Sequence, residues 1–186
     1  MDDGKIIALY WAKDEGAISA TAEKYGRYCH TVAYNILYNY FDAEECVNDT
    51  YLGAWKSMPP HRPDNLTAFL GRITRNLALN RYKRNAAAKR GGGQIEVALS
   101  ELENCIPDGT GVEQTAEEAL LASLINRFLY AQPRKKRNIF VRRYWYLYPI
   151  RDIAQSYGAS EGKIKALLFR MRNDLKKFLE KEGIRI

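Results

Sequence analysis

The sequence predicts an all-α protein made of two helical domains that are joined by a flexible linker. Apolar residues recur with helical spacing through most of the 186 residues, and no stretch shows the apolar–polar alternation of a half-buried strand. A stretch rich in glycine and acidic residues runs over residues 85–114. Loops of that length are uncommon inside one compact domain. We therefore expect a first domain at residues 1–84, a linker at 85–114 that has room for a short helix within 95–103, and a second domain at 115–186.

In the first domain, residues 6–11 and 17–40 are each expected to form a helix, because their apolar spacing is helical and neither contains proline. Asp42 is a favourable N-cap for a third helix, and Glu45, three residues later, completes a capping-box arrangement. This helix is expected over residues 42–56, since three prolines follow it and proline interrupts helices. Its buried side is predicted to contain Val47, Tyr51, Leu52 and Trp55.

A fourth helix is expected over residues 65–84, with one apolar and one polar, cationic face. The apolar stripe, which repeats as one side of a helix does, consists of Leu66, Leu70, Ile73 and Leu77. Aromatic residues and cations are interleaved here, which suits an unstacked nucleic-acid strand, because rings stack on bases and cations pair with phosphates. We nevertheless expect core positions for Trp55 and Phe69.

Asparagine amides on this helix can contact base edges, although Asn65 is equally suited to be a helix cap. The candidate nucleic-acid contacts of the first domain are Arg62, Asn65, Arg72, Arg75, Asn76, Asn80 and Lys83.

The predicted helices of the second domain cover residues 116–130, 134–147, 150–157 and, after a cap, 161–181. Gly158 separates the last two, because glycine accepts a turn conformation that other residues resist, and Ser160 is a favourable N-cap. This spacing fits a helix-turn-helix unit. The inward side of the last helix is predicted to hold Ile164, Leu167, Leu168, Met171 and Leu175. The outward side carries small, polar and cationic side chains. A helix face of this kind can enter a DNA major groove. Its candidate DNA contacts are Ser160, Lys163, Lys165, Ala166, Phe169, Arg170 and Asn173.

Charge is distributed in blocks along the chain, which has a net charge of +7 and a pI near 9.3. The net charge is −5 over residues 1–55, +8 over 56–93, −6 over 94–133 and +10 over 134–186. Separate basic blocks suggest separate surfaces for a polyanion. The exposed side of the acidic helix 42–56 instead favours a basic protein partner. Its candidate contacts are Asp42, Glu44, Glu45, Asn48 and Asp49.

The sequence contains no catalytic or metal-binding pattern, so we predict no catalytic residue, no metal and no cofactor. The cysteines, Cys29, Cys46 and Cys105, lie far apart without a CxxC pair, which fits a reducing compartment. The two histidines belong to no nucleophile pattern, and no phosphate-binding glycine loop is present. The N-terminal residues match neither a signal peptide nor a membrane span, so we expect a cytoplasmic protein without membrane insertion.

Two runs of the sequence resemble the sigma factors of bacterial RNA polymerase. DAEECVNDTYLGAW, followed by AFLGRITRNLALNRYKR, is similar to the second conserved region of the extracytoplasmic-function group of the sigma-70 family. RNIFVRRYWYLYPIRDIAQSYGASEGKIKALLFRMRNDLKKFL is similar to their fourth region. The resemblance covers about residues 17–84 and 116–181. It implies two helical domains and a non-enzymatic protein that binds core RNA polymerase and promoter DNA.

The resemblance also implies roles by position. The acidic residues of helix 42–56 would face the polymerase, and the loop 58–65 with the start of helix 65–84 would meet the −10 strand. Lys165, Phe169 and Arg170 would lie at the −35 element as duplex DNA. An anti-sigma factor is a further partner that the resemblance allows for.

Two other interpretations stay open at this point. A conventional helix-turn-helix regulator would bind an operator without polymerase, but the acidic and cationic helices of the first domain favour a sigma factor. A nucleic-acid enzyme would need a metal or nucleophile constellation, and the sequence provides none.

Overall fold

The structure is a computed structural model that describes residues 1–86, 94–102, 105 and 116–186. Within these residues it contains nine α-helices and no strand, so the predicted all-α class is confirmed. The chain divides into two units, Met1–Gly93 and Gln94–Ile186. Each unit has its own hydrophobic core.

The described residues of the first unit form a bundle of four helices. They are α1 (Asp3–Trp11), α2 (Gly16–Leu37), α3 (Tyr40–Ser57) and α4 (Leu66–Ala86). Helices α2, α3 and α4 pack on one another, and α1 packs on α2. Burying one stripe from each helix stabilises the bundle, since apolar surface removed from water contributes about 25 cal/mol per Å². Fully buried residues of this core include Ile6, Tyr10, Cys29, Ala54, Met58, Leu66 and Leu70.

The second unit contains five helices among its described residues. They are α5 (Gln94–Leu102), α6 (Ala116–Ala131), α7 (Arg134–Tyr144), α8 (Ile150–Ser156) and α9 (Glu161–Lys181). Helix α9 contacts α6, α7 and α8 through one long apolar stripe. That stripe consists of Ile164, Leu168, Met171, Leu175 and Leu179, all buried. The remaining core residues come mainly from α6, α7 and α8.

Helix α5 lies inside the stretch 85–114, close to the short helix that the sequence allows within the predicted linker. It belongs to the second unit and packs on α7, with Ile95 and Ala98 buried. The division between the two units falls at Gly93 and Gln94, within the same stretch. The rest of that stretch, apart from Cys105 and the end of α4, lies outside the described residues.

Several predicted helix ends were wrong. Asp42 is not the N-cap of α3, because the Asn39 side chain accepts a hydrogen bond from the Asp42 N–H at 3.1 Å and starts the helix earlier. Asn and Asp cap equally well, so sequence alone does not choose between them. Helix α2 ends at Leu37 rather than residue 40, since Tyr38 adopts a left-handed conformation with φ of 51°.

The third helix of the second unit is also shorter than predicted, and one predicted core residue is exposed. Helix α7 ends at Tyr144, three residues before the predicted end, and Leu147 has a φ of 55°. Leu52 is 47% exposed because α3 buries Val47, Tyr51 and Ala54 on another side. Trp55 and Phe69 are partly buried against the core, as predicted.

Candidate nucleic-acid and protein interfaces

The polar face of α4 is a stripe of exposed side chains. Arg72, Asn76, Asn80 and Lys83 are separated by four, four and three residues, so they line one side of the helix, and all four are exposed. Arg75, by contrast, is half-buried. The stripe therefore offers two cations and two amides on one surface of the first unit.

The opposite side of α4 is fixed to α3 through a buried polar ladder. The Thr50 hydroxyl donates to the Thr74 hydroxyl at 3.1 Å, and the Cys46 thiol donates to the Thr74 carbonyl at 3.6 Å. Burial raises the pKa of the Cys46 thiol to about 12, so this thiol stays neutral and unreactive near neutral pH. The ladder fixes which side of α4 faces outward.

The start of α4 is capped by one of the candidate contacts. The side-chain Oδ1 of Asn65 accepts a hydrogen bond from the Ala68 N–H at 2.9 Å. This is the helix-cap role that the sequence left open for Asn65, and it leaves the exposed amide group as the part of the side chain suited to a ligand. Arg62, three residues earlier in the loop, is also exposed.

The acidic face of α3 is partly neutralised within the unit. Arg81 of α4 forms ion pairs with Glu45 at 2.7 Å and with Asp42 at 3.5 Å. The hydrogen bond and charge of Arg81 hold the pKa of Glu45 below its ordinary value. Spacing along the sequence does not predict these pairs, because they join residues 36 and 39 positions apart. The other candidates on this face, Glu44, Asn48 and Asp49, are exposed.

In the second unit, α8 and α9 form the predicted helix-turn-helix. Gly158 has a φ of +57°, in the left-handed region where other residues are strained. The Ala159 N–H donates to the Ala154 carbonyl at 3.0 Å and closes the turn. The Ser160 side chain accepts from the Lys163 N–H at 3.3 Å, so the predicted N-cap of α9 is confirmed.

The outward face of α9 carries the predicted side chains. Phe169, whose side chain is large and apolar, is 57% exposed. The other exposed candidates are Ser160, Lys163, Lys165, Ala166, Arg170 and Asn173. Opposite them, Leu167 is half-buried while the rest of the predicted inward set is fully buried. An amphipathic helix with a cationic face of this kind can approach DNA without disturbing the core.

A groove of about 420 Å³ runs along one flank of α9. Lys165, Phe169 and Arg172 line it from α9, Ile150 from α8 and Glu101 from α5. An acidic residue from α5 therefore borders the cationic face of α9. No local sequence pattern indicates this neighbour, since Glu101 and Arg172 are 71 positions apart.

Glu101 is the centre of a polar network at the base of this groove. It accepts hydrogen bonds from Arg143 at 2.6 Å and from the Tyr144 hydroxyl at 2.8 Å, and Arg172 approaches it at 3.4 Å. Burial alone would raise the pKa of Glu101, but these hydrogen bonds and charges outweigh burial and hold the pKa below its ordinary value. The carboxylate is therefore charged near neutral pH.

Neither a cluster of metal ligands nor a membrane-spanning helix is found among the described residues. Within residues 1–86, 94–102, 105 and 116–186, no three His, Cys, Asp or Glu side chains come together as metal ligands would. None of the described helices combines the length and apolar character needed to cross a bilayer.

Comparison with known proteins identifies relatives of the chain. Residues 21–88 match the family model described as sigma-70 region 2. The chain is similar to the ECF RNA polymerase sigma factor SigE of Mycolicibacterium smegmatis, with 23% identity over 154 residues. That alignment covers 83% of this chain and 58% of the relative, so the chain spans less than two thirds of the relative's length. Helices α3 and α4, with the surfaces described above, lie inside the matched region.

Proposed function

We propose that the chain is a sigma factor of the extracytoplasmic-function group of the sigma-70 family, which binds core RNA polymerase and directs promoter-specific initiation of transcription. The main support for the proposal is that the chain presents three different candidate binding surfaces. The first unit, which includes the matched region, has an acidic α3 face and a cationic α4 stripe, and the second unit presents a helix-turn-helix. A non-catalytic initiation factor needs these three surfaces.

The polymerase contact is assigned to the acidic face of α3. Glu44, Asn48 and Asp49 are exposed there and can meet a basic partner surface, where charge complementarity mainly increases association rate and specificity. Asp42 and Glu45 serve this surface indirectly, since Arg81 pairs with both.

The −10 contact is assigned to the loop 58–65 and the exposed stripe of α4. Arg72 and Lys83 can pair with phosphates, while the amides of Asn76 and Asn80 can bond to the edges of bases that have left the stack. An unpaired base costs a few kcal/mol to extrude, and hydrogen bonds of this kind offset that cost.

The −35 contact is assigned to α9 of the second unit. Lys165 and Arg170 are exposed on the side away from the buried stripe, and Arg170 has the planar group that can bond two guanine acceptors together. Phe169, also exposed, can pack against a thymine methyl group.

The decisive experiment is transcription in vitro with core enzyme and a library of genomic fragments. We expect discrete start sites that depend on the protein, and weak binding of the same promoters by the protein alone. Tight sequence-specific binding without polymerase, and no transcripts with it, would instead identify an operator-binding regulator.

A further inference from the structure

Trp11, the last residue of α1, lies beside the loop 58–65 that joins α3 to α4. Its indole N–H donates to the His61 carbonyl at 3.3 Å, although 50 residues separate the two in the chain. The guanidinium of Arg62 lies over the indole ring, 5.7 Å from its centroid. A residue of α1, which lies outside the matched family region, thus becomes part of the loop surface.

The indole is held in place before any ligand arrives. Lys13, two residues later, donates from its ammonium group to the carbonyls of Trp55 at 2.6 Å and Met58 at 2.9 Å. Lys13 reaches them from a left-handed turn with a φ of 56°. Because α1 is tied to the end of α3 in this way, ordering the surface costs little when a ligand binds.

The indole ring of Trp11 is also more exposed than the aromatic rings of Tyr10 and Trp55 beside it. Trp11 is 39% exposed, while Tyr10 beside it is fully buried and Trp55 packs against Tyr10 with ring centroids 6.3 Å apart. The packing of α1 is therefore accounted for by Ile6, Ile7 and Tyr10, and does not require the Trp11 ring.

We propose that Trp11 is a stacking platform for one unpaired base of a single DNA strand, with Arg62 pairing with the adjacent phosphate. The proposal rests on the function proposed above and adds a residue of α1 to the single-strand surface. An exposed aromatic plane beside a cation is the combination that holds unpaired nucleotides without reading their sequence. The loop that Trp11 contacts at His61 and Arg62 continues directly to Asn65 and into α4, so Trp11 adjoins the loop that leads to the α4 stripe.

The test combines a residue change with a base change. Holoenzyme is assembled with wild-type protein, Trp11→Leu or Trp11→Phe, and its affinity is measured for a forked promoter whose −10 non-template strand is unpaired. The same fork is then used with one abasic site at each unpaired position in turn. We expect Trp11→Leu to weaken binding about 5- to 150-fold on the intact fork, as loss of one stacked base does.

The interaction between the two changes identifies stacking. At one position, the abasic site should weaken binding by the wild-type protein. On that abasic fork, Trp11→Leu should lower the affinity little further. Trp11→Phe keeps an aromatic plane and lacks the bond to His61, so it should retain the dependence on that base. Trp145→Leu, which changes a tryptophan of similar exposure in the second unit, should leave fork binding unchanged.

Other outcomes would overturn the proposal. An equal loss for Leu and Phe on intact and abasic forks would assign Trp11 to folding of the loop, and unchanged fork binding with weaker assembly of holoenzyme would assign it to a protein contact. If wild-type holoenzyme shows no preference for the fork over random DNA, the proposed sigma function itself fails.

Discussion

The guanidinium of Arg143 on α7 forms an ion pair with the carboxylate of Glu101 on α5 at 2.6 Å, and the Arg143 side chain is only 1% exposed. Arg143 also donates to the Tyr148 carbonyl at 3.3 Å, so the charge is both paired and hydrogen-bonded. This pair ties a helix from the stretch expected to be a linker to the body of the second unit. It also places Glu101 beside Arg172, on the flank of α9.

Replacing Glu101 should destabilise the second unit. Glu101→Gln leaves the buried Arg143 without its counter-charge, and losing one partner of a buried pair costs about 3–5 kcal/mol. Hydrogen exchange of α7 and α9 amides measures this loss within the second unit. Glu180→Gln is the matched control, because its pair with Lys176 is exposed and contributes at most about 0.5 kcal/mol. Equal protection in both variants would contradict the role given to Glu101.

The contribution of Glu101 should depend on pH in the acid range. Its pKa lies below the ordinary 4.5, so the native state favours the charged form, and the resulting stability is present above that value. It is lost as the pH falls through the lowered native pKa. The free-energy difference between wild type and Glu101→Gln should therefore be constant near neutral pH and shrink in acid. A difference that grows on acidification would refute this linkage.

Charge reversal on α3 should weaken the proposed contact with core polymerase. Asp49→Lys is expected to lower affinity roughly tenfold, since it places like charges opposite each other in a complementary interface. The control is Glu23→Lys, which reverses the charge of another exposed acidic residue of the first unit, on α2, and should bind normally. Binding is measured by fluorescence anisotropy with labelled protein. If the two variants bind alike, the α3 surface is solvated rather than a partner contact.

Removing Arg170 should reduce discrimination at the proposed −35 site. One guanine contact through both arginine donors is worth about 1–3 kcal/mol, so Arg170→Ala should relax the preference at one or two positions. Affinities of the holoenzyme for single-base promoter variants show this directly. Arg185→Ala removes an exposed arginine near the C-terminus and should leave the preference intact. An equal loss of affinity for all promoter variants would mean that Arg170 contacts phosphate only.

Removing Asn80 should impair promoter opening more than initial binding. The amide is exposed on the α4 stripe, where it can hold an unpaired base. Permanganate reactivity of the −10 thymines should fall for Asn80→Ala, and Asn85→Ala, exposed at the end of the same helix, should behave as wild type. A pre-melted bubble should largely rescue opening. If such a bubble fully rescues Arg170→Ala and does nothing for Asn80→Ala, the two DNA contacts have been assigned the wrong way round.

The sequence by itself determined the helical class and the main faces of the helices. Helical spacing predicted that Leu66 and Leu70 lie on the buried side of α4. The same spacing predicted that Asn76 and Asn80 lie on its exposed side. The turn before α9 was predictable because Gly158 and Ser160 act within a few residues of their own positions. Local periodicity and capping depend on neighbours in the chain, which a single sequence displays.

The tertiary structure alone decided the contacts between residues that are far apart in the chain. Arg81 is not among the contacts predicted from the sequence, yet it pairs with Glu45 of α3 and reduces the free charge of that face. Glu101 lies in a stretch whose composition indicates a linker, yet it pairs with a buried arginine. Trp11 meets the loop only because α1 packs beside it. Such pairs depend on how helices pack, and the spacing of residues along one helix carries no information about its partner.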